Sequence, residues 1–299
     1  MKKMYHITDW TTPKLFYDKY ISRIYALYGS TKIEPTLDFG AADFVVMTNQ
    51  LLPIAGATEQ DLARKRLIIH QYEPPSRHSM WGKWSDPVRM DKEAFKFFDM
   101  QRNRPIVWPY FDVKGQNFEP CAEFTSAARR DRMCFITSLW NMYPGHKLRL
   151  HILDYFKRVG LDYDLYGGKQ YTATSTTIDQ YPQWKDIEVA NKHDVLNTYK
   201  YALVVENTYE PNWFSEKLWD CLISENLAFY WGCPSIDNFI PSEAVIKLPE
   251  NGSLEEIRHI IINAMARDEY SKRLPAIREA KKVMLEKYDL IHTLEDIVK

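Results

Sequence analysis

The longest apolar runs of this chain, such as Tyr201–Val205 and Leu227–Trp231, are only one strand long, and they alternate with segments of helical period. That alternation is the strongest constraint on its fold. A short continuous apolar run suits a strand buried on both faces, and strands interleaved with helices build parallel sheets. No run approaches the roughly 20 apolar residues of a membrane span, so none is expected.

In the first third, Met4–Thr8 reads as a strand. Pro13–Leu27 reads as a helix, with apolar residues at near-3.6 spacing and Pro13 in its first turn. Asp43–Met47 and Arg66–Gln71 read as strands, Thr58–Arg64 and Lys92–Met100 as helices, and Pro105–Tyr110 as an extended exit segment. Residues 112–130 are polar and aperiodic, which places a domain boundary there, with domains of 1–120 and 121–299. In the second domain Met133–Ser138, Asp162–Tyr166, Tyr201–Val205 and Leu227–Trp231 read as strands, and His146–Arg158, Val195–Lys200 and Glu216–Ser224 as helices. From Ser253, whose Glu256 completes a capping box, the chain reads as mostly helical. Two α/β units with mostly parallel sheets follow, and such sheets bind ligands at the carboxyl ends of their strands.

Charge narrows the function. The formal net charge is −1 over 299 residues, without the basic excess that neutralises phosphates in a nonspecific nucleic-acid binder. The four cysteines (Cys121, Cys134, Cys221, Cys233) show neither CxxC pairing nor disulfide-dense spacing, as expected of reduced thiols in a cytosolic protein. The N-terminus lacks the apolar stretch of a signal peptide, and a cytoplasmic location is expected.

The densest stretch runs from Tyr201 to Pro241. A buried strand ends at Val205, and Glu206-Asn207 stand just beyond it. Ser215 is placed to cap a helix whose first turn holds Glu216 and Lys217, with Leu218, Trp219, Leu222 and Ile223 facing inward. A helix N-terminus offers free N–H groups and a positive dipole end to a phosphate. Lys217 would add a point charge for a diphosphate, and Glu216 would accept hydrogen bonds from ribose hydroxyls. On spacing alone a second reading stands beside this one: Glu216 balances the helix dipole and Lys217 is a solvated charge.

These residues resemble the signature of the α1,3/1,4-fucosyltransferases, glycosyltransferase family 10. That signature runs Glu-Asn, a short loop, an aromatic residue, Glu-Lys opening a helix, then a strand ending in an aromatic residue and Gly. Here it reads Glu206-Asn207, Trp213, Glu216-Lys217 and Phe229-Tyr230-Trp231-Gly232, followed by Phe239-Ile240-Pro241. The family has Tyr at the position of Trp213 and Val-Thr at Phe214-Ser215, so the aromatic hydroxyl that contacts a phosphate is missing. Residues 146–168 are similar to the family's helix with a phosphate-binding Arg, followed by a strand ending in aromatic-Gly; Arg149 fits that Arg best, with Lys147 its nearest rival. In residues 66–81 the family shows a strand followed by Glu-Ser-Pro, whose Glu is the general base. Glu73-Pro74-Pro75 matches except that Ser becomes Pro. Pro74 favours an extended Glu73, and His78, five residues on, is a weaker acceptor-side candidate.

The resemblance implies a GT-B arrangement, two Rossmann-like domains facing across a cleft. Arg149, Glu206, Asn207, Trp213, Glu216, Lys217 and Gly167 would form the donor site, and Glu73 would be the catalytic base. It implies an inverting transfer of fucose from GDP-fucose to a glycan hydroxyl, with a nucleotide sugar as substrate and no cofactor or essential metal. Two alternatives stand: another UDP- or GDP-linked donor with an unusual acceptor such as a protein or modified nucleic-acid base, and a non-catalytic nucleotide- or carbohydrate-binding protein.

Other motifs carry less. Asp162-Tyr163-Asp164 has the DxD form of metal-dependent transferases but falls within a strand pattern. Gly167-Gly168 suits either close backbone approach to a nucleotide or a plain turn. His146 and His151 are five apart, which does not match a helical zinc pair. The Lys272, Arg273, Arg278, Lys281 and Lys282 cluster reads as a solvated helical face.

Overall fold

The computed structural model describes residues 1–8, 11–48, 52–71, 96–99, 129–168, 178–186 and 192–299. The chain divides into two compact units. One comprises residues 1–108 together with 286–299, and the other residues 109–285. The final 14 residues therefore belong with the first unit, whereas the domain limits read from the sequence put them with the second. Their helix, Leu290–Ile297, buries Leu290, Ile291 and Leu294, and Glu295 accepts a hydrogen bond from Ser30 Oγ (2.5 Å) and pairs with Lys32 Nζ (3.2 Å).

Among its described residues the first unit holds a five-stranded sheet, β1 (Lys2–Ile7), β2 (Ile33–Thr36), β3 (Phe44–Thr48), β4 (Arg66–Gln71) and β5 (Lys96–Asp99). The order is β2-β1-β3-β4-β5, and every pairing is parallel. All five residues of β3 are buried, as expected for a parallel strand covered on both faces. The helix after β1 runs from Pro13 to Tyr28 with a π-helical turn at Tyr17–Ile21, and it ends at Gly29 in the left-handed conformation. Thr58 caps the next helix, Glu59–Ala63, through a complete capping box with Asp61.

Lys96–Asp99 is a strand and not part of the helix expected over Lys92–Met100. It lies in register with Ile68–Gln71. A parallel neighbour with open backbone donors and acceptors outweighs a local helical pattern, and Phe97-Phe98 suits a strand by propensity. The expected Pro105–Tyr110 segment lies outside the described residues.

Among its described residues the second unit holds six parallel strands, β6 (Arg130–Ile136), β7 (Asp164–Gly167), β8 (Trp184–Asp186), β9 (Tyr199–Val205), β10 (Leu227–Trp231) and β11 (Val245–Lys247), in the order β11-β10-β9-β6-β7-β8. Chain order runs from β6 outward through β7 to β8, then returns to the other side of β6 for β9, β10 and β11. The reversal puts a topological switch point between β6 and β9, where open α/β sheets form a ligand crevice. The helix expected over Val195–Lys200 is displaced to Lys192–Leu196, because Tyr199 and Lys200 already belong to β9. Asn226, fully buried, donates from Nδ2 to the carbonyls of Leu196 and Tyr199 at 2.8 and 2.7 Å, joining that helix to the start of β9.

After β6 comes the helix Pro144–Val159, with proline in its first turn. Its second residue, Gly145, donates to Asn207 O at 2.9 Å. A Cβ on Gly145 would lie 1.8 Å from Glu206 O, so only glycine lets the helix start against the loop beyond β9. Gly145→Ala should destabilise the protein by about 1–3 kcal/mol through overpacking against backbone. Urea unfolding monitored by circular dichroism measures this, with Gly160→Ala, where a Cβ meets nothing within 4 Å, as a reference for left-handed backbone strain alone.

Candidate functional site

A cavity of about 330 Å³ opens at the switch point of the second unit. Ile136, Thr137 and Ser138 line it from the end of β6, Gly167 and Gly168 from the end of β7, and Ala202–Val205 from β9. Arg149, Lys192, Leu196, Glu216, Lys217 and Cys221 complete the wall.

Arg149 is buried one turn into the Pro144–Val159 helix, whereas Lys147 is exposed. Its Nε donates to Val205 O at 2.9 Å, and its Nη2 to the same oxygen and to Asn207 Oδ1 (2.9 Å). The guanidinium thus clamps the last carbonyl of β9 and orients Asn207. Burial lowers its pKa to about 10, against the raising effect of Glu206 and Glu216, so it is charged at neutral pH.

Glu206 extends the β9–β10 ladder, its N–H donating to Trp231 O at 2.8 Å. Its side chain is fully buried and off the cavity wall. One carboxylate oxygen accepts Ser215 N–H at 2.8 Å and the other accepts Ser215 Oγ–H at 2.5 Å. Ser215 is the N-cap of the helix Glu216–Ile223. Glu206 therefore works behind the site, by fixing where that helix begins. Asn207 also stands behind the wall, through Arg149, and Trp213 is buried at 3% exposure and does not line the cavity.

Glu216 and Lys217 open the helix at the cavity and are paired, Lys217 Nζ to Glu216 Oε1 at 2.8 Å; the same ammonium reaches Ser215 Oγ at 3.1 Å. Burial opposes ionisation of Glu216, but the charges of Lys217 and Lys192 outweigh it and bring its carboxyl down to about 2. Glu206 has the opposite balance. Burial raises its carboxyl above the ordinary value, and Lys217 and the Ser215 hydrogen bonds offset only part of that.

Gly167 lies on the wall, but its lack of a side chain serves packing as well. A Cβ there would stand 2.2 Å from both Thr137 O and the Trp184 indole. Glu73 and His78 lie outside the described residues. Of the expected donor residues, the cavity gathers Arg149, Gly167, Glu216 and Lys217, with Glu206 and Asn207 supporting them from behind.

Lys192 and Asp220 escaped the sequence reading. Lys192 Nζ lies 2.5 Å from Asp220 Oδ2, with the lysine side chain 14% and the aspartate side chain 1% exposed. A signal was present: Asp220 follows Glu216 at i,i+4 on one helix, a repulsive spacing that calls for a nearby cation. The DxD sequence forms ion pairs instead. Asp164 meets Lys185 (2.9 Å), Arg132 (3.1 Å) and the Tyr199 hydroxyl (2.6 Å), and Asp162 meets Arg132. In the basic C-terminal cluster, Arg278 and Lys281 share Glu225. Cys134, Cys221 and Cys233 are free and buried. Among the described residues no helix is long and apolar enough to cross a membrane.

No family model matches the chain. Two curated proteins match locally. The α-(1,4)-fucosyltransferase of Arabidopsis thaliana is 32% identical over 65 residues, 22% of this chain and 16% of that protein. The α-(1,3)-fucosyltransferase FucT of Helicobacter pylori is 40% identical over 48 residues, 16% of this chain and 10% of that protein. The chain thus spans only a small part of either relative's length. Among solved structures, an α1,3-fucosyltransferase superposes with a TM-score of 0.50 at 14% identity, over 96% of this chain and 92% of that one. An α-glucosyltransferase in complex with UDP and a 13-mer DNA containing an HMU base gives 0.51 at 10% identity, over 89% and 85%. These likenesses establish the fold, an α/β architecture of GT-B type with two parallel sheets.

The two carboxyls predict opposite pH limbs. Glu216 ionises more readily folded than unfolded, so its contribution to stability is present above the ordinary value near 4.5 and is lost as pH falls toward about 2. Glu206 holds its proton more tightly folded, so stability falls as pH rises from near 4.5 through its folded value. Urea unfolding across pH should show Glu216→Gln flattening the acid limb and Glu206→Gln flattening the limb above it. Unchanged limbs in both variants would refute the assignment.

Proposed function

We propose that this chain is an inverting glycosyltransferase that moves a sugar from a nucleoside diphosphate to a glycan hydroxyl, with GDP-fucose as donor. The observation that carries this reading is the cavity at the β6–β9 switch point, where Arg149 and Lys217 converge with Glu216 at a helix N-terminus. Both curated matches are fucosyltransferases, and the GT-B fold agrees.

In this reading the diphosphate lies toward Arg149, Lys217 and the positive dipole end of the Glu216–Ile223 helix. Glu216 accepts hydrogen bonds from the ribose. Asn207 keeps Arg149 in place, since its Oδ1 already accepts from Nη2. The acceptor hydroxyl attacks the anomeric carbon from the face opposite the diphosphate. A new C–O bond forms as the bond to the leaving phosphate oxygen breaks, with Glu73 as the proposed base for the hydroxyl proton. The negative charge that develops on the leaving GDP is met by cationic side chains, and we assign no resident metal. The partners are then a nucleotide-sugar donor and a glycan acceptor.

A second reading keeps the fold and the phosphate end and changes the donor to a UDP-linked or other GDP-linked sugar, with an acceptor such as a protein or modified nucleic-acid base. The buried Trp213, where the resembling family places a phosphate-contacting tyrosine, favours it. So does the similar TM-score of the glucosyltransferase bound to UDP and modified DNA.

Thermal melts with millimolar GDP, UDP, CDP and ADP decide between them. A ligand at about 100 times its Kd adds roughly 2.7 kcal/mol, so GDP alone should raise the melting temperature by about 4–7 °C. Lys217→Ala should abolish most of that shift. A shift with UDP alone would select the second reading, and no shift with any nucleotide would overturn both.

Transfer assays test the base. Glu73→Gln should cut turnover by about 10²–10⁴-fold while nucleotide affinity stays near wild type, and wild-type turnover should persist in EDTA. Wild-type rates in Glu73→Gln would place the base elsewhere.

A further inference from the structure

Glu216 and Asp220 stand one turn apart on the same helix, and Asp220 is almost wholly withdrawn from water. Like charges at i,i+4 repel, and a buried carboxylate persists only beside a partner. Lys192, arriving from a separate helix, meets Asp220 Oδ2 at 2.5 Å, and His193 Nε2 lies 3.7 Å from the other oxygen. Neutralising Asp220 does not exhaust what Lys192 does. It lines the same cavity as Glu216, and each side chain lies within the other's field.

The charges around Glu216 make the consequence specific. Lys217, Lys192 and Arg149 are the cations, and Asp220 and Glu206 are the nearby acids. Lys217 is paired with Glu216 at 2.8 Å, and it is also the cation a diphosphate would recruit. Once Lys217 turned to phosphate, Glu216 would face Asp220 and the incoming anion. Lys192 is tied to Asp220 on a different element and would stay.

We propose that Lys192 is a positioning residue that holds the Glu216 carboxylate for the ribose hydroxyls of a nucleoside diphosphate when Lys217 engages the phosphates. This rests on reading the cavity as a nucleotide site.

The test measures guanosine and GDP affinity by calorimetry for wild type, Lys192→Met/Asp220→Asn, Glu216→Gln and the triple variant. Removing both partners of the buried pair leaves no orphan charge, so the double variant should melt near wild type. It should nevertheless lose about tenfold in affinity, equally for guanosine and GDP. In the Glu216→Gln background the same pair of changes should cost nothing further, as a cycle through one shared residue requires. Lys192→Arg, which keeps the charge, should retain guanosine affinity within about threefold. It supplies the decision if the double variant fails to fold: a full tenfold loss there, with a wild-type melt, overturns the proposal.

Wild-type affinity in the double variant would overturn it too, showing that Lys192 serves only to neutralise Asp220. A loss that grows from guanosine to GDP would likewise overturn it, by making Lys192 a phosphate contact. Failure of wild type to bind guanosine, GDP or UDP would remove the nucleotide site itself, and the proposal with it. That result is distinct from wild-type binding with unaltered variants, which removes only the role of Lys192.

Discussion

The second unit is organised around what happens to the chain as it leaves β9. A strand end normally frees its last carbonyls to water. Here Val205 O is taken by the buried Arg149 fork, Glu206 N–H by Trp231 O, and Asn207 O by Gly145 N–H. Two elements, the Pro144–Val159 helix and β10, thereby converge on three successive residues. The Glu206 carboxylate then reaches nine positions ahead to hold both the N–H and the hydroxyl of Ser215, so the strand end also dictates where the next helix starts. Without that grip, neither Glu216 nor Lys217 would have a defined place on the cavity wall.

The site that results is electrostatically divided. Arg149 and Lys217 give it a cationic region, while Glu216, backed by the Lys192–Asp220 pair, gives it an anionic one. Glu216 pairs with Lys217 and Asp220 with Lys192, while Arg149 is held by a carbonyl and an amide oxygen, which is how these groups coexist at low exposure. A nucleoside diphosphate matches such a division, with acidic phosphates at one end and hydrogen-bond-donating hydroxyls beside them.

Legibility followed burial. Leu227–Trp231 was readable to its limits, because a strand covered on both faces is a continuous apolar run, and Arg66–Gln71 was readable around its buried Leu67, Ile68 and Ile69. The edge strands Ile33–Thr36, Trp184–Asp186 and Val245–Lys247 were not, since three or four residues leave no period and their reason to be strands lies in the neighbour they pair with. Arg149 could be preferred to Lys147 from the sequence, but only the phase of the helix shows one buried and the other exposed. Glu206 was read as a donor contact, whereas in the structure it supports the Ser215 cap. Side chains near a strand end share one sequence signature whether they face a ligand or hold the wall behind it. The Lys192–Asp220 pair joins residues 28 positions apart, and no local pattern specifies such a partner.

The division of the chain also imposes an order on its synthesis. The second unit is one continuous stretch, residues 109–285, and can close as soon as that stretch is free. The first unit begins at residue 1 yet needs Leu290–Ile297, whose apolar face is buried and whose Glu295 ties to Ser30 and Lys32. On a ribosome adding roughly 5–20 residues per second, the surface that receives this helix waits for more than 250 further residues to emerge. The first unit is thus completed only after the whole of the second unit has emerged.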